Sequence, residues 1–107
     1  MAETKKILER SEIAAADRWA VEDMYPTDEA WMADLEKLKA LSAELAAFAG
    51  TLGKDAATLL TYATKTEEAG VLLSNLLNYS SRRNDEDTRV AKYQEMNGMA
   101  MSAYVGF

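Results

Sequence analysis

A single proline, Pro26, divides this chain, and no other residue constrains its fold as much. It lies in the run W-A-V-E-D-M-Y-P-T-D-E-A-W at residues 19–31. Steric conflict with the proline ring biases Tyr25 toward extended backbone. Thr27 then stands where a helix N-cap belongs, its hydroxyl free to accept an orphan backbone N–H. Asp28 and Glu29 fall in the first turn, where the helix dipole favours negative charge. Trp31 opens an apolar stripe. Upstream of the break, Trp19, Met24 and Tyr25 are too bulky for a solvated leader, so they are expected to pack against the body of the protein.

Beyond Pro26 the pattern is helical. Trp31, Leu35, Leu38, Leu41, Leu45 and Phe48 are spaced by threes and fours, which puts them on one face of a helix over 27–49. Gly50 is placed to end it in the left-handed conformation. Thr51-Leu-Gly-Lys54 is a short connection, which implies antiparallel neighbours. Asp55 reads as the N-cap of a second helix over 55–83, with Leu59, Ala63, Thr66, Gly70, Leu73, Leu77 and Ser80 as its apolar row. Threonines and Gly70 weaken that row in the middle. Either Gly70 allows a close helix approach, or the segment is two helices with a kink at 64–70; one bent helix is the preferred reading. Asn84-Asp-Glu-Asp87 reads as the break and cap before a third helix, 86–105. There Val90, Tyr93, Asn97, Ala100 and Tyr104 share a face, and Met96, Met99 and Ala103 form a second strip beside it. A helix apolar over so much of its girth seeks burial on more than one side. An apolar final residue, Phe107, gives the look of a chain cut short.

The fold expected is therefore all-α, an antiparallel three-helix bundle over 27–107, preceded by an irregular strap over 1–26. Ile7, Leu8 and Ile13 are candidate anchors of that strap, with a short helical turn near Ala14–Asp17; a frayed terminus is the competing reading. A length of 107 residues suits one domain with a modest core.

Composition narrows the chemistry. The chain has neither histidine nor cysteine, so the commonest metal ligand, the commonest general base and any thiolate chemistry are missing. A net charge of −6 argues against nucleic acid and anionic membranes as partners. No apolar run reaches the ~20 residues of a membrane span. The N-terminus lacks the apolar core of a signal peptide, so a cytoplasmic location is expected. Asp85-Glu-Asp87 resembles a calcium loop but lacks the glycine and the distal glutamate that such a loop needs. Arg82, Arg83, Arg89 and Lys92 are expected to pair locally with Asp85, Glu86 and Asp87. Asn78-Tyr-Ser80 matches a glycosylation sequon but falls within a helix. The serines have no partner base. No catalytic, cofactor-binding or metal-binding residue is assigned.

Taken together, Arg10-Ser-Glu-Ile13, Trp19 and the run Glu22–Trp31 resemble the start of the oligoendopeptidase F family, zinc metallopeptidases of the thimet-oligopeptidase type. Leu76-Leu-Asn-Tyr-Ser-Ser-Arg82 is similar to a tyrosine-centred helix end in that family. Asp85–Arg89 with Tyr93-Gln94 is similar to the capped helix that follows it. The resemblance spans nearly the whole chain. It departs at Trp19-Ala20-Val21, where the family often has Trp-Asp-Leu, and at Ala14, where it often has proline. The family's zinc-binding H-E-x-x-H helix lies far downstream, so no catalytic or zinc position maps onto these residues. The resemblance implies a non-catalytic N-terminal helical domain, one wall of a channel that admits short peptides, with the rest of the peptidase chain as partner and zinc held elsewhere. A free-standing helical module that pairs with a second copy, without enzymatic activity, is the alternative.

Overall fold

The computed structural model describes residues 7–107. Three helices form the body: α1 (Asp28–Ala46), α2 (Ala56–Glu86) and α3 (Ala91–Gly106). Three short 3-10 turns precede them, at Arg10–Glu12, Ala15–Asp17 and Val21–Asp23. There is no strand among the described residues, and no helix there is long and apolar enough to cross a membrane. The expectation of an all-α bundle holds.

Both N-caps form as the sequence indicates. Thr27 is extended, and its hydroxyl accepts the Ala30 N–H at 3.1 Å. Asp55 does the same for Thr58 at 2.7 Å. Helix α1 ends at Ala46, three residues short of the expected Ala49. Its chain continues in successive turns closed by Phe48, Ala49 and Thr51 N–H groups bonding three residues back. Gly50 takes φ +79°, the left-handed region that glycine enters without a Cβ penalty.

Helix α2 is the axis of the bundle. It is continuous from Ala56 to Glu86, so the segment is one helix and does not divide at 64–70. Nor does Gly70 mediate close packing, because a Cβ built there meets nothing within 4 Å. With space available and a helical backbone, Gly70→Ala should raise stability by about 1 kcal/mol and the melting temperature by about 5 °C; thermal unfolding followed by circular dichroism checks this.

Two further boundaries and one face differ from expectation. Asn84, Asp85 and Glu86 do not cap a third helix but complete the second, and α3 begins at Ala91 rather than Glu86. Glu86 stays helical because its carboxylate has a tertiary partner in Arg10, at 2.5 Å. The turn falls at Asp87, whose carboxylate accepts the Arg89 N–H at 3.0 Å, an Asx turn. The row assigned as the apolar face of α2 is only half of its buried surface. Leu73 and Ser80 are buried, but Leu59, Ala63 and Gly70 are exposed. A second row, Ala69, Leu72, Leu76 and Tyr79, is buried against α1. A central helix with neighbours on two sides needs two such rows. The C-terminal end of the assigned row faces α3, where Ser80 meets Asn97 at 3.2 Å.

The core joins Trp31, Leu35, Leu38 and Leu41 of α1 to that row, with Met96 and Ala100 of α3. Trp31 is its centre. It is fully buried, and its indole N–H donates to the Leu76 carbonyl at 2.9 Å. Lys37–Glu68 and Lys65–Glu44 ion pairs, at 3.3 and 2.6 Å, tie the outer edges of α1 and α2.

The residues before Pro26 do pack on the body, though of the expected anchors only Ile13 is half-buried, in a cleft it shares with Asp85 and Glu86 of α2. Val21 and Tyr25 are buried in the core, and Met24 is packed against it. Ile7 and Leu8 are exposed, so they do not anchor the strap. Arg10 does this instead. It bonds Glu86 on α2, the Trp19 carbonyl at 2.9 Å and Glu22 at 2.6 Å. The helical turn expected near Ala14–Asp17 is present. The part of the expected strap at residues 1–6 lies outside the described residues.

Candidate functional site

Polar groups converge most densely where the first turn of α1 meets α2 and α3. Asp28 is the hub. Its Oδ1 accepts the Tyr79 hydroxyl at 2.7 Å, and its Oδ2 accepts the Tyr93 hydroxyl at 3.1 Å and the Lys92 ammonium at 2.6 Å. The Arg83 guanidinium lies 4.3 Å from the Tyr93 ring centre and donates to its hydroxyl. Tyr25 packs edge-on against Tyr79, with centroids 5.4 Å apart, and its own hydroxyl donates to Asp34 at 2.8 Å. These groups meet because each helix presents one of them at the same level: α1 its N-terminal acid, α2 its last buried turns and α3 its first.

The electrostatics describe a clamp. Burial alone would raise the Asp28 carboxyl, but the Lys92 ammonium and the tyrosine hydroxyls outweigh it and hold the group below its ordinary value. Burial, then the bonded carboxylates, push the Tyr25 and Tyr79 phenols well above theirs. A carboxylate already accepting three donors is a poor general base, and phenols so displaced keep their protons at neutral pH.

Beside the hub lies an open cleft of about 400 Å³ between the strap and the α2–α3 turn, lined among others by Arg10, Arg83, Glu86, Asp87 and Tyr93. Two ion pairs close within it. Arg10 holds Glu86, and Arg89 holds Asp87 at 2.8 Å, which sets the Asp87 carboxyl down to about 2. The expected local pairing of the basic patch is therefore met by Arg89 alone. Arg82 lies over the Trp19 ring at 5.6 Å, Arg83 on Tyr93, and Lys92 on Asp28. Asp85, Glu86 and Asp87 are drawn into the helix end and the turn. Among the described residues no three metal-ligating side chains converge, and the sequence has no histidine or cysteine. The zinc that the family resemblance implies has no fitting ligand set here.

Sequence reasoning missed the hub. Asp28 reads as an ordinary first-turn acid, and only the lengths of α1 and α2 bring Tyr79 to it across 51 positions. The one available signal was Tyr79 itself, a large side chain with a polar tip that needs a partner when buried.

Comparison with known proteins gives a consistent set of relatives. The chain is 38% identical over 110 residues to Oligopeptidase PepF of Bacillus subtilis (strain 168), a match covering 97% of this chain and 16% of that protein. It is 37% identical over 99 residues to the Oligoendopeptidase F homolog of Lactococcus lactis subsp. lactis (strain IL1403), covering 92% of this chain and 16% of the relative. Group B oligopeptidase PepB of Streptococcus agalactiae serotype III (strain NEM316) is 31% identical over 98 residues, with the same 92% and 16% coverage. No family model matches the chain, and no solved structure matches it significantly. The chain thus spans 16% of the length of the curated relatives it matches. By these relatives, which match 92–97% of its length, the chain is an oligoendopeptidase F-like N-terminal segment.

Proposed function

We propose that this segment is the non-catalytic helical part of an oligoendopeptidase F-like zinc metallopeptidase, residing in the cytoplasm and forming part of the wall of a channel that admits short peptides. In this reading, residues 1–26 are a strap and 27–107 the helical domain. The remaining peptidase polypeptide is its partner and supplies both the zinc ligands and the general base. The observation that carries the reading is the match itself: 97% of this chain aligns with only 16% of an oligopeptidase. The sequence supports it, since a zinc hydrolase built on H-E-x-x-H needs histidines and this chain contains none.

A chimera tests it. The chain is grafted in place of the matching stretch of Bacillus subtilis PepF, and hydrolysis of a short fluorogenic peptide is followed. The chimera is expected to cleave within about tenfold of PepF, a barrier change of about 1.4 kcal/mol or less, and to lose activity with a chelator. The isolated chain is expected to cleave nothing, with or without added zinc. A folded chimera that retains zinc but does not cleave, or chelator-sensitive cleavage by the isolated chain, overturns the reading. The alternative, a free-standing module that dimerises, draws on the exposed Met101, Tyr104 and Val105 of α3. An inactive chimera, together with an isolated chain of twice its monomer mass by light scattering, would favour it.

A further inference from the structure

The three helices do not close a triangle. Helix α3 packs chiefly on α2 and only lightly on α1, so the side between α1 and α3 stays open. Two cavities of about 560 and 280 Å³ follow one another along that side. Lys39, Ser42 and Ala46 mark the α1 edge, and Met99, Ser102 and Phe107 the α3 edge. At the lower end Leu45 and Tyr62 give the groove an apolar floor, and Phe107 remains 46% exposed beside it. The core-facing side of the α3 end is thus only partly covered by the described residues.

We infer that this α1–α3 groove receives an amphipathic helix from the peptidase polypeptide outside the matched segment, completing a four-helix arrangement. This rests on the proposed function and adds to it the face through which the segment joins its enzyme. Three observations select the occupant. The relatives hold only 16% of their length in the aligned stretch, so most of their polypeptide is available as a partner. The groove has an apolar floor between rims that carry Lys39 and Glu95, one charge of each sign, which suits a helix with an apolar stripe and mixed flanks. A second copy is disfavoured, because each chain carries a net charge of −6.

The chain lacks cysteine, so single reporters are unambiguous in it, and the chimera without an added cysteine gives the background rate for the PepF part. Ala46→Cys and Ser102→Cys place a thiol on each groove edge, and Asn75→Cys places one on the outer face of α2; all three positions are exposed. Each is introduced into the isolated chain and into the PepF chimera, and the rate of reaction with a maleimide dye is measured, with circular dichroism to check the fold. The expected result is groove thiols at least about tenfold slower in the chimera than in the isolated chain, the scale of protection that stable burial gives, while Asn75→Cys is unchanged. A chimera that cleaves peptide while its groove thiols react as fast as in the isolated chain overturns the inference and leaves the proposed function standing. Slowing of the groove thiols in the isolated chain as its concentration rises, with a doubled mass, assigns the groove to a second copy and also overturns it. An inactive chimera tells against the proposed function instead.

Discussion

Replacing Trp31 by alanine is expected to cost about 3–5 kcal/mol, enough to leave a domain of ordinary stability near the edge of unfolding. The side chain is fully inaccessible and stands at the centre of the α1–α2 contact. Its loss leaves a void that Leu35, Leu38 and Leu76, themselves at 0% exposure, are too constrained to fill. Trp31→Phe separates the two parts of the effect. It keeps most of the ring volume and removes the N–H that reaches the Leu76 carbonyl, so about 1–2 kcal/mol should be lost. Trp19 serves as the internal control. It is half exposed beneath Arg82, and Trp19→Ala should cost less than about 1 kcal/mol. Urea unfolding of the three variants, followed by far-ultraviolet circular dichroism, checks the order. A Trp31→Ala midpoint equal to that of the parent would mean that the core is not organised around this residue.

Helix α1 was legible because its signals are local and agree. Pro26 and Thr27 start it, Gly50 turns the chain a few residues past its end, and one main neighbour demands one stripe, so Trp31, Leu35, Leu38 and Leu41 are buried as their spacing indicates. Helix α2 was legible as a helix but not as a packing element. Its residues serve two neighbours, and a search for a single row finds the weaker one, Leu59 to Ser80. The row Ala69, Leu72, Leu76 and Tyr79 obeys the same spacing, and nothing local ranks one above the other. The acidic run at 84–87 misled for a related reason. Asn, Asp and Glu favour helix starts by intrinsic preference, but Glu86 is held in α2 by Arg10, a residue 76 positions away in sequence. The strap followed the same rule at its start: Ile7 and Leu8 are exposed, while Arg10 ties that end to α2. For the acidic run and the strap, what escaped the sequence was a long-range polar contact.

Substituting Asp28 should remove the most connected of those contacts. Asp28→Ala is expected to cost about 2–3 kcal/mol, because the Tyr79 and Tyr93 hydroxyls lose a charged acceptor at a largely buried position. Lys92 contributes little of this. It is 55% exposed, and an ion pair so solvated is worth at most about 1 kcal/mol, so Lys92→Met should be mild. The acid side of the stability curve gives an independent reading. The Asp28 carboxyl lies below its ordinary 3.8 in the folded protein, so the unfolded chain binds a proton there more tightly than the native one does. Its contribution is then complete above about 3.8 and is lost as pH falls through the lower folded value. Asp55 and Asp87 are also held low and add slopes of their own. The relevant quantity is therefore the difference between the parent and Asp28→Asn, which keeps the shape of the side chain without its charge. That difference should shrink as the pH is lowered below 3.8 and stay flat above it. A double-mutant cycle with Tyr79→Phe then separates the hub from helix-dipole effects, since Asp28 occupies the first turn of α1 and loses a favourable end charge whatever its partners do. A coupling of about 1 kcal/mol or more assigns the stability to the Asp28–Tyr79 bond, and one within about 0.5 kcal/mol of zero assigns it to the helix terminus instead.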